Sequence, residues 1–140
     1  MAEQSKPIFL DTAYVNALIN TRDQWHERAV WWERKLAAER RRLLTTQFIL
    51  IEIGDGLATV KYRAEAGAII KHLTSSSFVE VIPATSQLFT DGFNLYRQRQ
   101  DKAWGITDCT SFVVMQDHQL SEALTTDDDF IQAGFHALLL

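Results

Sequence analysis

Strands alternating with helices along the whole chain predict an α/β domain, with a mostly parallel central sheet and helices on both faces, three layers in all. Three observations lead there. Short apolar runs rich in β-branched and aromatic residues recur at wide spacing, at residues 8–10, 78–82 and 135–138. The intervals between them carry apolar residues at helical period. No repeat, linker or low-complexity block interrupts them, so residues 1–140 read as a single domain.

Each element has its own warrant. Ile8, Phe9 and Leu10 form an apolar run that stops at Asp11, the mark of a buried strand. Residues 12–20 place Val15, Leu18 and Ile19 at helical spacing. Residues 22–42 predict a longer helix, because Trp25, Ala29, Trp32 and Leu36 recur at steps of four, three and four along one face. Residues 43–45 predict a short strand, and Thr46 a cap for a helix over 47–58. Another helix spans 63–73 and ends at Ser75, Ser76 and Ser77. The strand at 78–82 ends at Pro83. Residues 85–100 predict a helix with Leu88, Phe89, Phe93 and Tyr96 as its core stripe. A short helix covers 107–116. Residues 123–125 and 135–138 are the final strands, joined by a helical turn over 128–133.

Composition removes several function classes. With 46% hydrophobic residues, four Trp and eight Phe, the chain can build a core and is not disordered. No apolar run approaches the roughly 18 residues that span a bilayer, and residues 1–6 are too polar for a secretory signal, so a cytoplasmic protein is expected. Cys109 is the single cysteine, which excludes an internal disulfide and a cysteine zinc cluster. The net charge of −4 (14 basic against 18 acidic residues) is wrong for binding nucleic acid by bulk charge. A nucleic-acid role needs a local patch or metal ions.

Four carboxylates stand out. Asp11 directly follows the first strand, where it could equally cap the next helix. Glu52 sits between Ile51 and Ile53 on a predicted helix, and the places three or four away hold Phe48, Ile49, Asp55 and Gly56, none of them a cation. Only a distant segment could pair it. Asp108 lies in the first turn of a helix, a position the helix dipole also favours. Asp127 follows the strand at 123–125 and precedes Asp128 and Asp129, which could together be a solvated acidic cap. In α/β sheets, ligands bind beyond the carboxyl ends of the strands. Converging acids there would raise one another's pKa, and a hard divalent cation with its preference for oxygen relieves that cost. Four carboxylates match two divalent ions in charge, an arrangement suited to phosphodiester hydrolysis.

In order, these segments resemble the PIN-domain family, and within it the VapC-type toxins of bacterial toxin–antitoxin pairs. Ile8-Phe9-Leu10-Asp11-Thr12 resembles the first motif, and the stretch from Thr45 to Gly54 the second, with Glu52 as its acid. Thr107-Asp108-Cys109-Thr110-Ser111-Phe112 resembles the third and the stretch from Leu124 to Phe135 the last, with Asp108 and Asp127 as their acids. The resemblance covers essentially the whole chain. It implies a three-layer PIN-like fold and an Mg2+-dependent endoribonuclease, with Mn2+ as a substitute, cleaving RNA by metal-activated water. It also implies a homodimer held in check by a cognate antitoxin. By resemblance, Asp11 and Asp108 are the metal ligands, and Glu52 and Asp127 complete the acidic site. The chain departs from the pattern in carrying Asp128 and Asp129 where relatives often have a basic residue or His. Two readings of other classes are a catalytically silent PIN-like binding module and a metal nuclease acting on DNA.

Other features favour structural roles. Arg28, Arg34, Lys35, Arg40, Arg41 and Arg42 could grip RNA, but Glu27, Glu33 and Glu39 interleave with them and suggest a solvated face on which Lys35 and Glu39 pair. Trp31 points about 100° away from Trp32, so it either widens the apolar face or anchors a partner. His26, His72, His118 and His136 have no metal-site spacing. Cys109 beside Asp108 reads as a buried core residue, not a nucleophile. P-loop, dinucleotide-binding and nucleophile-elbow motifs are absent.

Overall fold

The computed structural model describes residues 5–140; residues 1–4, on which most of the signal-peptide expectation rests, lie outside the described part. The order is β1 (Ile8–Leu10), α1 (Thr12–Ile19), α2 (His26–Glu39), β2 (Leu43–Thr46), α3 (Gln47–Gly56), α4 (Val60–Ser75), β3 (Val79–Ile82), α5 (Ser86–Gln98), α6 (Ile106–Asp117), β4 (Glu122–Leu124), α7 (Asp128–Gln132) and β5 (His136–Ala137). Five strands form one sheet in the order β3-β2-β1-β4-β5, and every pairing is parallel. Among the described residues, no helix is long and apolar enough to cross a membrane.

The central position of β1 explains its sequence. Ile8, Phe9 and Leu10 are at most 2% exposed, because a strand between two neighbours and two helical layers has no wet face. Chain order runs from β1 outward to β2 and β3, then returns to the other side through β4 and β5. The connections leaving β1 and β4 therefore diverge, and a crevice opens at their carboxyl ends.

Threonines set the helix starts. Thr46 accepts a hydrogen bond from the Ile49 N–H at 3.1 Å and so caps α3, as expected. Thr85 does the same for α5 through the Leu88 N–H. The helix predicted from residue 22 begins at His26 instead, because Asp23 draws the preceding chain into a turn by accepting from the Trp25 N–H at 2.8 Å.

One predicted stripe is turned outward. On α5, Leu88 is buried, but Phe89, Phe93 and Tyr96 are 47%, 36% and 45% exposed and stack on one another. The face that packs on α6 is instead the small one, at Gly92. A Cβ at that position would run into Thr110 Cγ2 and lie 3.1 Å from the Thr110 backbone. Helical period alone does not say which of two adjacent stripes faces inward. Close approach of α5 and α6 selected the glycine stripe.

Beneath the carboxyl ends, an aromatic chain links the elements. Phe112 on α6 meets Trp104 at 5.0 Å and Phe130 on α7 at 4.9 Å, both edge-on, and Phe130 lies 6.2 Å from Phe9 on β1.

Gly92→Ala is expected to cost about 1–3 kcal/mol, since an added methyl must push α5 from α6. Gly67→Ala on α4, where nothing lies within 4 Å of the new Cβ, is expected to be neutral or slightly stabilising. Urea unfolding of the two variants tests this pair.

Candidate metal centre

Asp11 lies just past the end of β1 and is only 4% exposed. It occupies the N-cap of α1, yet its side chain makes no capping hydrogen bond. Oδ2 accepts instead from the fully buried Thr125 hydroxyl at 2.7 Å. The Thr125 hydroxyl oxygen in turn accepts from the Asp127 N–H at 2.9 Å. One hydroxyl thus ties the end of β1 to the loop after β4.

Glu52 projects from α3, half-buried, and its Oε1 accepts from the Thr12 hydroxyl at 2.5 Å. A partner from a distant segment does exist, then, but it is a neutral hydroxyl and leaves the charge uncompensated. Asp108, in the first turn of α6, accepts from the Gly105 N–H at 3.1 Å through Oδ2. The helix-start reading is correct as far as it goes, and it leaves Asp108 Oδ1 for other work. Asp127 caps α7, accepting from the Asp129 N–H at 2.9 Å.

These placements converge. Ligand oxygens of Asp108, Asp127 and Asp129 lie within 4.8 Å of one another. Asp11 and Glu52 lie outside that tight trio, but their charges act on each other's surroundings: both Asp108 and Glu52 push the Asp11 pKa upward. Asp108 stands between the two groups, feeling Asp127, Asp129 and Glu52. Asp128, by contrast, is exposed and bonded to Gln132.

The electrostatic cost shows in the raised carboxyl pKa values. Burial, opposed by the Thr125 hydrogen bond and reinforced by Asp108 and Glu52, raises the Asp11 pKa to about 7. Burial first, and then the charges of Asp127, Asp129 and Glu52, raise Asp108 to about 6 despite the Gly105 hydrogen bond. Asp129 is also raised, by burial and then by Asp127 and Asp128. Among the described residues, the ion pairs within 4.0 Å are Lys35–Glu39, Arg41–Glu122 and Arg99–Asp101, and none involves these acids. An all-oxygen set, partly buried and without a protein counter-charge, fits a hard divalent cation.

Cys109 is fully buried, and burial followed by Asp108 and Asp129 pushes its thiol to about 11, which confirms a core role. Trp31 is 56% exposed, with the Lys35 ammonium 5.4 Å over its ring. Lys35 also pairs with Glu39 at 3.0 Å, as the spacing suggested. Two positioning residues escaped the sequence reading, Thr12 and Thr125. Each is adjacent to a candidate acid or two places from one, and that spacing was the available signal.

Comparison with known proteins agrees with this geometry. The PIN domain family description matches residues 8–136. The chain belongs to the PIN-domain family. Curated relatives place it among VapC-type PIN domains: the 23S rRNA-specific endonuclease VapC20 of Mycobacterium tuberculosis, from two strains, is 30% identical over 129 residues, covering 91% of this chain and 95% of the relative. The crystal structure of that VapC20, described as a sarcin-ricin loop cleaving toxin, superposes with a TM-score of 0.78 at 26% identity, over 91% of this chain and 95% of that one. FitAcB from Neisseria gonorrhoeae shares the PIN fold with a TM-score of 0.62 at 19% identity, over 93% of this chain and 94% of that one. PIN is a nuclease fold, and the acids of this one stand at the carboxyl edge of its sheet.

The raised pKa values fix the sign of a pH effect. In metal-free protein, Asp11 stays protonated in the folded state up to about pH 7, whereas the unfolded chain releases that proton near the ordinary value of 3.8. The Asp11 contribution to folding stability is therefore fully present below about pH 4 and is lost as pH rises between those values. Thermal unfolding across this range should show the decline in wild type and a shallower one in Asp11→Asn. Added Mn2+ should restore stability at pH 7.5 in wild type.

Proposed function

We propose that this chain is a divalent-metal-dependent endoribonuclease and the toxin half of a toxin–antitoxin pair, working in the cytoplasm. The observation that supports it most is the grouping of Asp108, Asp127 and Asp129 oxygens within 4.8 Å of one another, with the buried Asp11 and with Glu52 near enough for their charges to be felt in the same crevice. Mg2+ is the proposed metal, with Mn2+ as a substitute. When bound, such a cation stabilises charge developing on a phosphate and makes water a better nucleophile at neutral pH. The protein's own contribution is positional. Thr125 and Thr12 aim Asp11 and Glu52, and a carboxylate of the set orients or deprotonates the attacking water. Water oxygen adds to phosphorus, the P–O bond to the leaving ribose oxygen breaks, and that oxygen takes a proton.

The likeness to a 23S rRNA-specific endonuclease over 91% of the chain makes ribosomal RNA the proposed substrate. Two surfaces support the partners. An apolar groove of about 440 Å3 between α1, α2 and α4 is walled by Val15, Leu18, Leu36, Ile69 and Leu73, with Arg40 at its margin. It suits an amphipathic antitoxin segment with acidic residues at its edge. The stacked Phe89, Phe93 and Tyr96 of α5 suit a second copy of the chain, since contiguous exposed apolar rows mark interfaces.

Asp11→Asn and Asp108→Asn proteins should be folded yet cleave RNA at least roughly 100-fold more slowly in Mg2+ or Mn2+. Retained cleavage by a scrupulously purified double variant would overturn the assignment. Preference for DNA in a side-by-side assay would replace ribonuclease with deoxyribonuclease. For the partner, Ile69→Asp should abolish inhibition by the antitoxin encoded beside this chain, at unchanged RNA cleavage. Undiminished inhibition would move the antitoxin to another surface.

A further inference from the structure

We infer that Lys102, on the loop between α5 and α6, positions the substrate: its ammonium holds a phosphate of the RNA backbone at the rim of the acidic crevice. The inference rests on the ribonuclease reading above. An RNA strand approaching the crevice meets Asp11, Glu52, Asp108, Asp127 and Asp129, in a chain whose net charge is −4. Phosphates flanking the cleaved one need a cation from the protein itself.

The densest basic run stands at the wrong edge. Arg41 donates to the Lys6 carbonyl at 2.9 Å and lies 3.4 Å from Glu122, so it sits where β1 and β4 begin. The Ile8 N–H donates to the Arg42 carbonyl at 3.1 Å. All strands of a parallel sheet begin at one edge, which puts Arg40, Arg41 and Arg42 opposite the acids.

The loop of residues 99–105 lies at the right edge. It leads into α6, whose first turn carries Asp108, and its Gly105 N–H donates to that carboxylate. Arg99 is used up within the loop: Nε and Nη2 each donate to the Asp101 carboxylate at 3.0 Å, and the guanidinium lies 5.0 Å over the Trp104 ring. Trp104 is buried edge-on against Phe112, which packs on Phe130 of α7. The Lys102 N–H donates to the Arg99 carbonyl at 3.1 Å and closes the turn. The loop is thus fixed against both helices that carry the acids. Arg97, the remaining cation nearby, faces the Phe93 ring at 5.9 Å. Lys102 is half-buried and, among the described residues, makes no ion pair within 4.0 Å. Its charge is still felt at Asp129, across the crevice mouth. It therefore stands beside the acids without being neutralised by one of them. An ammonium on a flexible four-carbon stem binds phosphate as a compact point charge.

Fluorescence anisotropy with a labelled fragment of 23S rRNA tests this, in the full chain carrying Asp11→Asn to prevent cleavage. Lys102→Gln in that background should weaken binding about three- to tenfold and reduce the salt dependence, as log Kd against log salt, by about one. Lys102→Arg should keep the parent slope, since the charge is retained. Arg42→Gln, at the far edge, should change neither. In the otherwise unaltered chain with Mg2+, Lys102→Gln should raise KM for 23S rRNA and leave kcat within about twofold. Its Mn2+ affinity without RNA, read by calorimetry, should not fall. If Lys102→Gln keeps the parent affinity and slope, if Arg42→Gln costs as much, or if the loss follows weakened Mn2+ binding, the inference falls while the ribonuclease reading stands. Wild type that neither binds nor cleaves the RNA would sink both.

Discussion

Repulsion among like charges in a half-dry crevice is the constraint around which this molecule is arranged. Five carboxylates gather where β1 and β4 end, and one of them, Asp11, is nearly removed from solvent. Left to itself, such a group would spread into water or take up protons, and the raised pKa values of Asp11 and Asp108 show the second tendency. The rest of the domain works against the first. The end of β1, the middle of α3, the first turn of α6 and the capped start of α7 after β4 deliver these acids from separate parts of the chain, so no single loop movement can disperse them.

Hydroxyl groups do the fine placement. Thr125 joins Asp11 to the Asp127 backbone, Thr12 joins α1 to Glu52, and Thr45 donates to the Leu10 carbonyl at 2.8 Å. Each is a neutral donor or bridge between elements that would otherwise share only apolar contact. Neutrality matters here. A lysine or arginine in the place of Thr125 would satisfy the acids outright and occupy the position that a metal ion needs. Below this layer, the chain Trp104–Phe112–Phe130–Phe9 locks α6 and α7 against β1, so the bearings of Asp108 and Asp127 are set by rigid packing. A centre built on such support keeps its geometry with or without its ion.

Away from the centre, the surface divides its apolar area between two sites. The groove between α1, α2 and α4 is concave and edged by charge, whereas the α5 ridge is convex and aromatic. Their difference in shape fits partners of different kinds. The groove is walled in part by core residues such as Val15, Leu36 and Leu73, whereas the α5 ridge stands outside the core.

Much of this was legible in the order of residues. The unbroken apolar run before Asp11 reads as a buried strand, Thr46 could cap α3 by its own side chain, and Glu52 had no local cation with which to pair. Those are properties of near neighbours, and near neighbours decide them. The start of α2 at His26, the outward turn of Phe89, Phe93 and Tyr96, the division of labour between Asp128 and Asp129, and the hydroxyl bridge from Thr125 to Asp11 across 114 positions were not. Each depends on which surface of one element meets another, and helical or strand periodicity offers several surfaces of similar character. Contact between distant segments, such as Gly92 against Thr110 or Phe130 against Phe112, chose among them.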